Sequence, residues 1–193
     1  MDDDVKSEAD QAVRVYVAAG FHDADEIAEI VSEEIFELEQ VDEDWLADSI
    51  AGAMRAKAED EATWPATTDC DGLAACFDTL DAQRIIALHS AGMTMSDGFS
   101  DAAQAWHDAG GERSGYRGFC FYHFQDVERA ISAGELMIAF GSFVEGDDKA
   151  TVGIGRTVCE AAVNVGLSPY WNGSPGTRIA LKGISWQRRT QTP

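Results

Sequence analysis

The chain has 193 residues, of which 45% are hydrophobic, and its 35 acidic and 14 basic side chains give a formal net charge of −21. This length and composition suffice for one domain with a substantial core and a further helical segment. So acidic a chain argues against non-specific binding to nucleic acid or to an anionic membrane surface. No apolar run approaches the roughly 18 residues of a membrane-spanning helix.

The N-terminal sequence MDDDVKSEAD is acidic and polar, the opposite of a secretory signal peptide, so we expect a cytoplasmic protein. The four cysteines show neither C-x-x-C spacing nor a zinc-binding pattern. We therefore expect buried thiols in a reducing compartment. The sequence has no phosphate-binding or dinucleotide-binding loop and predicts no cofactor.

The first third of the chain predicts three amphipathic helices. Gly20 is expected to end the first helix, and Asp23, which stands three residues before Glu26, is expected to begin the second in a capping pair. Asp42 is the expected cap of the third. The apolar stripes of these helices run through Ala9–Val17, Ile27–Leu38 and Trp45–Met54.

The negative charge belongs mainly to this helical segment. Residues 1–62 carry 20 acidic and 4 basic side chains, a net charge of −16, whereas residues 63–193 carry 15 and 10, a net charge of −5. Segregation of this kind is compatible with docking to a basic protein. The alternatives are that the charge only keeps the protein in solution, or that it reflects a salt-adapted source.

After Trp64-Pro65, helices and strands alternate. We expect helices over 71–82, 97–109, 126–133 and 151–165, and strands over 84–89, 117–124, 135–140, 168–171 and 178–181. The turn-rich sequence from Asn172 to Gly176 predicts an antiparallel hairpin between the last two strands. The helix over 126–133 predicts a right-handed parallel crossover, provided that its two flanking strands share a sheet.

These elements predict an α+β fold. We expect a mixed β-sheet with a βαβ unit and a C-terminal hairpin, preceded by a helical N-terminal segment. The expected domains are an acidic helical segment over residues 1–64 and an α+β domain over residues 65–193.

Polar side chains at the ends of two predicted strands form a candidate ligand site. His89 ends one strand, His123 and Gln125 end the next, and Asp97 and Asp126 stand at the starts of helices. Ligands of open α/β sheets bind at the carboxyl ends of strands. If the strands are parallel neighbours, both imidazoles lie at one sheet edge, where two histidines and two carboxylates could bind a divalent metal or perform acid–base chemistry.

A simpler interpretation of the same residues is structural. Asp97 and Asp126 would be helix N-caps, and the histidines would form hydrogen bonds with loop backbone. The two histidines are 34 residues apart, which is not the compact spacing of a metal motif. The sequence therefore assigns no catalytic residue and no metal ligand, and whether the protein is an enzyme stays open.

A second polar cluster, Trp171, Asn172 and Arg178, is a candidate interface, because exposed Trp and Arg are frequent interface hot spots. Alternatively, Trp171 closes the core and Arg178 neutralises part of the acidic helices. The same cluster is expected to include Trp186, Arg188 and Arg189.

Several segments together resemble an uncharacterised bacterial family of acidic proteins of similar length, a domain of unknown function. The segments are CDGLAACFDTLDAQRIIALH, GFCFYHFQDVERAI, ELMIAFG and GLSPYWNGSPGTRIAL, of which FYHFQDVERA and WNGSPGTRI are the most specific. The resemblance spans Trp64 to Arg189 and implies no established activity and no catalytic residue. Some relatives have a cysteine-rich loop where this chain has Ser90–Ser96 without cysteine, so the resemblance implies no metal or redox role for that loop here.

Two functional hypotheses follow. The first is a non-catalytic binding or regulatory protein that presents an acidic face to a basic protein partner and binds neither nucleic acid nor membrane. The second is a small enzyme or metal-binding protein that uses His89, Asp97, His123 and Asp126 at the sheet edge.

Overall fold

A computed structural model describes residues 1–36, 40–144 and 146–190. The helices are α1 (Asp3–Ala19), α2 (Ala24–Glu29), α3 (Glu43–Glu61), α4 (Asp69–Ala82), α5 (Met95–Asp108), α6 (Phe124–Ala133) and α7 (Asp148–Asn164). The strands are β1 (Ile85–Leu88), β2 (Gly118–Phe121), β3 (Glu135–Ser142), β4 (Pro169–Tyr170) and β5 (Ile179–Lys182). Helices come first and a mixed five-stranded sheet follows, which confirms the predicted α+β class.

The chain divides into two compact units. The helical unit contains residues up to Thr68 together with the C-terminal residues from Trp186, and the α/β unit runs from Asp69 to Ser185. The expected domains, residues 1–64 and 65–193, stay a prediction. The structural finding is that the last residues pack with the helices.

The ends of the first helices follow the predicted signals. Gly20 ends α1 in the left-handed conformation, with φ 74°, a backbone geometry that favours glycine. Asp23 and Glu26 form the expected capping box at the start of α2. The carboxylate of Asp42 accepts a hydrogen bond from the backbone N–H of Trp45 (2.9 Å) and so caps α3.

The apolar stripes of these helices form the core of the helical unit. After α2 the chain continues as a π-helical segment, Ile30–Ile35. Leu38, the last residue of the predicted second stripe, lies outside the described residues. The buried stripe residues are Ala9, Val13, Tyr16, Val17, Ile27, Val31, Leu46 and Ile50.

The C-terminal segment caps α1. The indole Nε1 of Trp186 donates to the carbonyl of Ala19 (3.3 Å), and Nε of Arg188 donates to the carbonyl of Gly20 (3.2 Å). Terminal helical carbonyls lack partners inside the helix and attract cations, so these contacts explain why the segment joins the helical unit. The expectation that Trp186, Arg188 and Arg189 join the Trp171 cluster was therefore wrong.

The sheet has the strand order β1-β2-β3-β5-β4. β1 and β2 are parallel, with Leu88 opposite Phe121, and the other neighbours are antiparallel. The βαβ unit is thus β1-α5-β2, and the predicted C-terminal hairpin is β4-β5.

The predicted parallel crossover from β2 through α6 to β3 is wrong, because these strands are antiparallel, with Phe121 opposite Ala139. Thirteen residues separate the two strands, and ten of them form α6, so only three remain for two turns. Because a parallel crossover needs about a dozen residues, the length of the connection does not exclude one, and the direction in which the chain leaves α6 decides the pairing. Gly134, in the left-handed region at φ 63°, turns the chain from α6 directly into β3.

Helices cover the sheet unequally. α4 and α7 pack on one face, where a Cβ built on Gly155 of α7 would lie 2.8 Å from the ring of Phe140. On the other face, α5 covers β1 and β2 and packs Ala102 against Phe121 and Ala139. The part of this second face formed by β3, β5 and β4 carries the pocket described below.

Candidate functional site

The carboxyl ends of β1 and β2 meet at one sheet edge, because the two strands are parallel neighbours. The loop after β1 fills the space there. The carbonyls of Gly92 and Met93 accept hydrogen bonds from the backbone N–H groups of Phe124 (3.0 Å) and Gln125 (3.5 Å) at the start of α6. N–H groups at a helix start are those that bind anionic ligands in other proteins, and here they bind the chain's own loop. The side chain of Gln125 is exposed.

His89 supports the core. Its Nδ1 lies 2.7 Å from the hydroxyl of Tyr122, and its ring stacks on Phe77 of α4 with centroids 4.4 Å apart. The side chain of Tyr122 is fully buried, and a buried phenol needs a hydrogen-bond partner. His89 is therefore the polar partner of a core tyrosine, whereas the simpler interpretation of the sequence gave it a backbone partner.

Asp97 occupies the third position of α5, and Thr94 is the N-cap. The Asp97 carboxylate accepts hydrogen bonds from the backbone N–H of Thr94 (2.8 Å), from its hydroxyl (2.9 Å) and from the backbone N–H of Met93 (3.2 Å). The hydrogen bonds from Thr94 contribute most, and the one from Met93 contributes less, to holding the pKa of Asp97 below its usual range. The N-cap of α5 is therefore Thr94, three residues before Asp97, which the sequence analysis had expected to be the cap.

His123, Asp126 and Arg178 form one buried cluster. His123 is the N-cap of α6, and its Nε2 lies 3.1 Å from Oδ2 of Asp126. Nη1 of Arg178, at the residue before β5, donates to both carboxylate oxygens of Asp126 (2.9 and 3.0 Å). The accessible fractions of the three side chains are 7%, 3% and 29%. Asp126 is not the N-cap that the sequence suggested, because it bonds back to the backbone N–H of His123 (3.3 Å).

Burial lowers the pKa of His123, and the positive charge of Arg178 acts in the same direction. The carboxylates of Asp126 and Asp97 oppose this shift but do not cancel it. The balance of these effects favours the neutral form of His123. Its Nδ1 is buried and finds no hydrogen-bond partner within the part of the chain that the structure describes.

Trp171 and Asn172 order the loop before β5. The indole Nε1 of Trp171 donates to the carbonyls of Ser174 (3.0 Å) and Thr177 (3.2 Å), and its ring meets Phe140 edge to face. The side-chain oxygen of Asn172 accepts from the backbone N–H of Ser174 (2.9 Å) and the hydroxyl of Thr177 (2.6 Å). Trp171 thus closes the core, as one of the two interpretations of the sequence held.

Arg178 forms its ion pair with Asp126 of the candidate ligand site, and it also lines the pocket at the open part of the sheet together with Trp171 and Asn172. It is thus a neighbour of a carboxylate in its own unit. Sequence analysis assigned Arg178 and Asp126 to different clusters, since 52 positions separate them.

A pocket of about 330 Å³ lies beside this cluster, at the open part of the sheet. Residues of β3, β4 and β5 and of the loop before β5 line it, among them Glu135, Met137, Tyr170, Trp171, Arg178 and Lys182. Trp171, Asn172 and Arg178, the candidate interface of the sequence analysis, all line it, whereas the contributions of β3 and of Lys182 were not predicted. The available signal was the alternation of Arg178, Ala180 and Lys182, which places two cations on one face of a strand.

A comparison with protein-family models assigns the chain to a family. The model of DUF6891, a domain of unknown function, matches residues 2–190. The chain belongs to this family. The expected resemblance to a domain of unknown function is thereby confirmed, and neither the curated proteins nor the solved structures contain a match.

In this DUF6891 chain, the five candidate ligand-site residues do not converge on one centre. His123 and Asp126 are in contact, and Asp97 lies close enough to influence the pKa of His123. His89 is bonded to Tyr122. Across the described residues, no group of three or more His, Cys, Asp or Glu side chains is placed to hold a metal ion, and no helix is long and apolar enough to cross a bilayer.

Proposed function

We propose that this DUF6891 chain is a non-catalytic cytoplasmic binding protein whose helical unit docks a basic protein. The observation that supports this most strongly is the exposure of its carboxylates. Of the 18 acidic residues described between residues 1 and 62, 16 are exposed. A surface of this kind attracts a basic partner and steers its approach.

The few cations of the same segment do little to neutralise that surface. Lys57 is buried and donates to the carbonyl of Val17 (3.0 Å). Arg14 forms an ion pair with Asp10 (2.8 Å), one turn away on the same helix. Most of the exposed carboxylates are therefore available to an external cation.

One row of exposed carboxylates places like charges next to one another along a helix. Asp25, Glu29 and Glu33, hereafter the acidic ladder, follow one another at intervals of four residues along α2 and the π-helical segment, and all three are exposed. Like charges four residues apart destabilise a helix by about 0.2–0.5 kcal/mol per pair. A partner with basic side chains would relieve this repulsion. Ile35, which is 44% exposed, is a nearby apolar residue for such a contact.

The geometry favours this function over the metal-binding or enzymatic alternative. His89 is engaged with a buried tyrosine, and Asp126 is neutralised by Arg178. The loop after β1 fills the sheet edge where a ligand of the predicted site would bind. These contacts support structural roles for His89 and Asp126, two of the residues that the alternative would use.

The test is affinity capture from an extract of the cells that make the protein, at about 0.05 M and about 0.5 M salt, where screening differs strongly. The ladder variant carries Asp25→Asn, Glu29→Gln and Glu33→Gln. The control variant carries the same charge change at three exposed acids of the α/β unit, Asp78→Asn, Asp101→Asn and Glu128→Gln.

We expect a basic protein to be captured at low salt by the wild type and the control, but not by the ladder variant or at high salt. Absence of any basic partner, or equal loss from both variants, would contradict the proposal. Circular dichroism of both variants confirms that the helices remain folded.

A further inference from the structure

We infer that the pocket at the open part of the sheet binds a small organic anion, a carboxylate or phosphate attached to a flat apolar group. This site is separate from the acidic ladder and does not depend on the proposed partner. The inference rests on the positions of two cations, the aromatic wall of the pocket and its apolar floor. Its volume of about 330 Å³ lies at the lower end of the range for small-molecule sites.

Arg178 is the principal anchor. Asp126 holds its Nη1 from the buried side, with distances of 2.9 and 3.0 Å to the two carboxylate oxygens, and Nε2 of His123 lies 3.4 Å from the same nitrogen. No partner is found for Nε or Nη2 among the residues that the structure describes, although Arg178 lines the pocket. The edge formed by Nε and Nη2 is suited to a bidentate bond with a carboxylate or phosphate.

This arrangement leaves the guanidinium preorganised. A side chain already fixed by a buried carboxylate loses little rotamer freedom when a ligand binds, so the entropic cost that opposes binding is smaller. The ion pair with Asp126 uses only Nη1. The opposite edge of the same planar group remains available for a ligand.

Lys182 supplies the second cation. Its Nζ lies 4.4 Å from the ring centroid of Tyr170, which keeps the ammonium near the aromatic wall. Arg178 and Lys182 share one face of the sheet, since residues two and four apart on a strand point to the same side. Glu135 lies opposite Lys182 in the register and Asp126 pairs with Arg178, so the two cations and two carboxylates carry no net charge. This balance favours an anion of low charge.

The aromatic and apolar surfaces define the rest of the ligand. Tyr170 is 65% exposed, an unusual position for a large aromatic side chain, and the rim beside it is ordered by the hydrogen bonds of Trp171. Met137 and Ala180 form the floor. An anionic group at Arg178 would place a flat apolar body over this floor and against Tyr170.

The test uses four probes and the full chain: benzoate, phenyl phosphate, inorganic phosphate and the neutral benzamide. Binding is followed by chemical-shift changes of the backbone amides, which also locate the site. We expect benzoate or phenyl phosphate to shift Thr177, Arg178 and Lys182 together with the indole of Trp171. Benzamide should bind about tenfold more weakly or worse, because it lacks the charged partner of Arg178. Inorganic phosphate should also bind weakly, because it lacks the apolar body.

Two variants test the residues, and one serves as a matched control. Arg178→Lys keeps a positive charge beside Asp126 but loses the bidentate edge, so affinity should fall about tenfold. Lys182→Gln changes an exposed side chain and should weaken binding severalfold without affecting folding. Lys149→Gln, an exposed lysine of α7 outside the pocket, removes the same charge and should bind as the wild type does.

Any one of three results would overturn the inference. These are the absence of shifts at the pocket up to the solubility limit of the probes, equal binding of benzoate and benzamide, and inorganic phosphate binding as tightly as phenyl phosphate. If Arg178→Lys does not fold, wild-type affinity in Lys182→Gln overturns it by itself. Failure here would leave the acidic ladder untouched, because the two sites share no residue.

Discussion

Removing the guanidinium of Arg178 should destabilise the α/β unit, because it would leave the Asp126 carboxylate buried without its cation. Two hydrogen bonds from Nη1 to the carboxylate are lost in Arg178→Gln. Breaking a buried ion pair costs about 3–5 kcal/mol. Arg178 is 29% exposed, so water can reach part of the vacated space, and we expect a smaller loss of about 2–3 kcal/mol.

A double-mutant cycle separates this pairing from general damage. The cycle combines Arg178→Gln with Asp126→Asn, which keeps an oxygen for the backbone bond to His123. The free energies of unfolding are measured by urea denaturation with circular dichroism at pH 7.5. We expect the double variant to be more stable than additivity predicts, with a coupling of about 1–3 kcal/mol.

The control is Arg156→Gln, an exposed arginine of α7, which should change the free energy of unfolding by less than about 0.5 kcal/mol. Additive losses in the cycle would refute the reasoning, because they would mean that Arg178 and Asp126 do not stabilise the fold through each other.

Three further predictions concern stability. Burial lowers the pKa of His123 in the folded protein, so the unfolded chain takes up a proton first as pH falls below about 6.5, and the free energy of unfolding should drop there by at most about 1.4 kcal/mol per pH unit. His123→Gln should remove this part of the pH dependence between pH 7.5 and 5.5. If the free energies of unfolding of the two proteins differed by the same amount at both pH values, the prediction would be contradicted. Gly98→Ala should lower the free energy of unfolding in urea by about 1–3 kcal/mol, because the new Cβ would collide with the ring of Phe121. Gly153→Ala, whose Cβ would meet nothing within 4 Å, should be neutral or stabilising by up to about 1 kcal/mol; equal effects of the two substitutions would exclude the steric reason. Lys57→Met should destabilise the helical unit by about 1–3 kcal/mol, because it removes the bond to a terminal carbonyl of α1 and the ion pair with Glu61 (3.7 Å). A neutral result in thermal unfolding would show that both contacts are dispensable.

Local signals predicted much of the fold. Helix caps and stops act within a few residues, so Gly20, Asp23 and Asp42 could be assigned from the sequence alone. The parallel pairing of β1 with β2 could also be anticipated from the sequence, because a long connection that contains a helix joins the strands that end before His89 and His123. The crossover through α6 was predicted wrongly because the sequence pattern identifies the helix but not the direction in which the chain leaves it at Gly134.

The spacing of residues along the sequence did not predict which side chains would be in contact. Tyr122 and His123 are adjacent in an extended segment, so their side chains point to opposite sides. Tyr122 meets His89 and Phe77, whereas His123 turns towards Asp126 and Arg178. Which distant residue each meets depends on the packing of the sheet and helices.

The individual residues of the candidate site were therefore predicted, but the contacts that bring them together were not. His123 and Asp126 could be paired by their spacing at a helix start, where a side chain three residues along commonly bonds back. Arg178 is brought to them by the antiparallel pairing of β3 with β5. That register depends on long-range packing, which a single sequence does not specify.

The most direct test of the proposed function is the dissociation constant of the captured basic partner as a function of ionic strength. We expect Kd to rise with salt for the wild type, and we expect the ladder variant at Asp25, Glu29 and Glu33 to bind more weakly with a shallower salt dependence. The control variant at Asp78, Asp101 and Glu128 should follow the wild type. A Kd that does not change with salt, or that is the same in the ladder variant and the wild type, would contradict docking through the acidic surface of the helical unit.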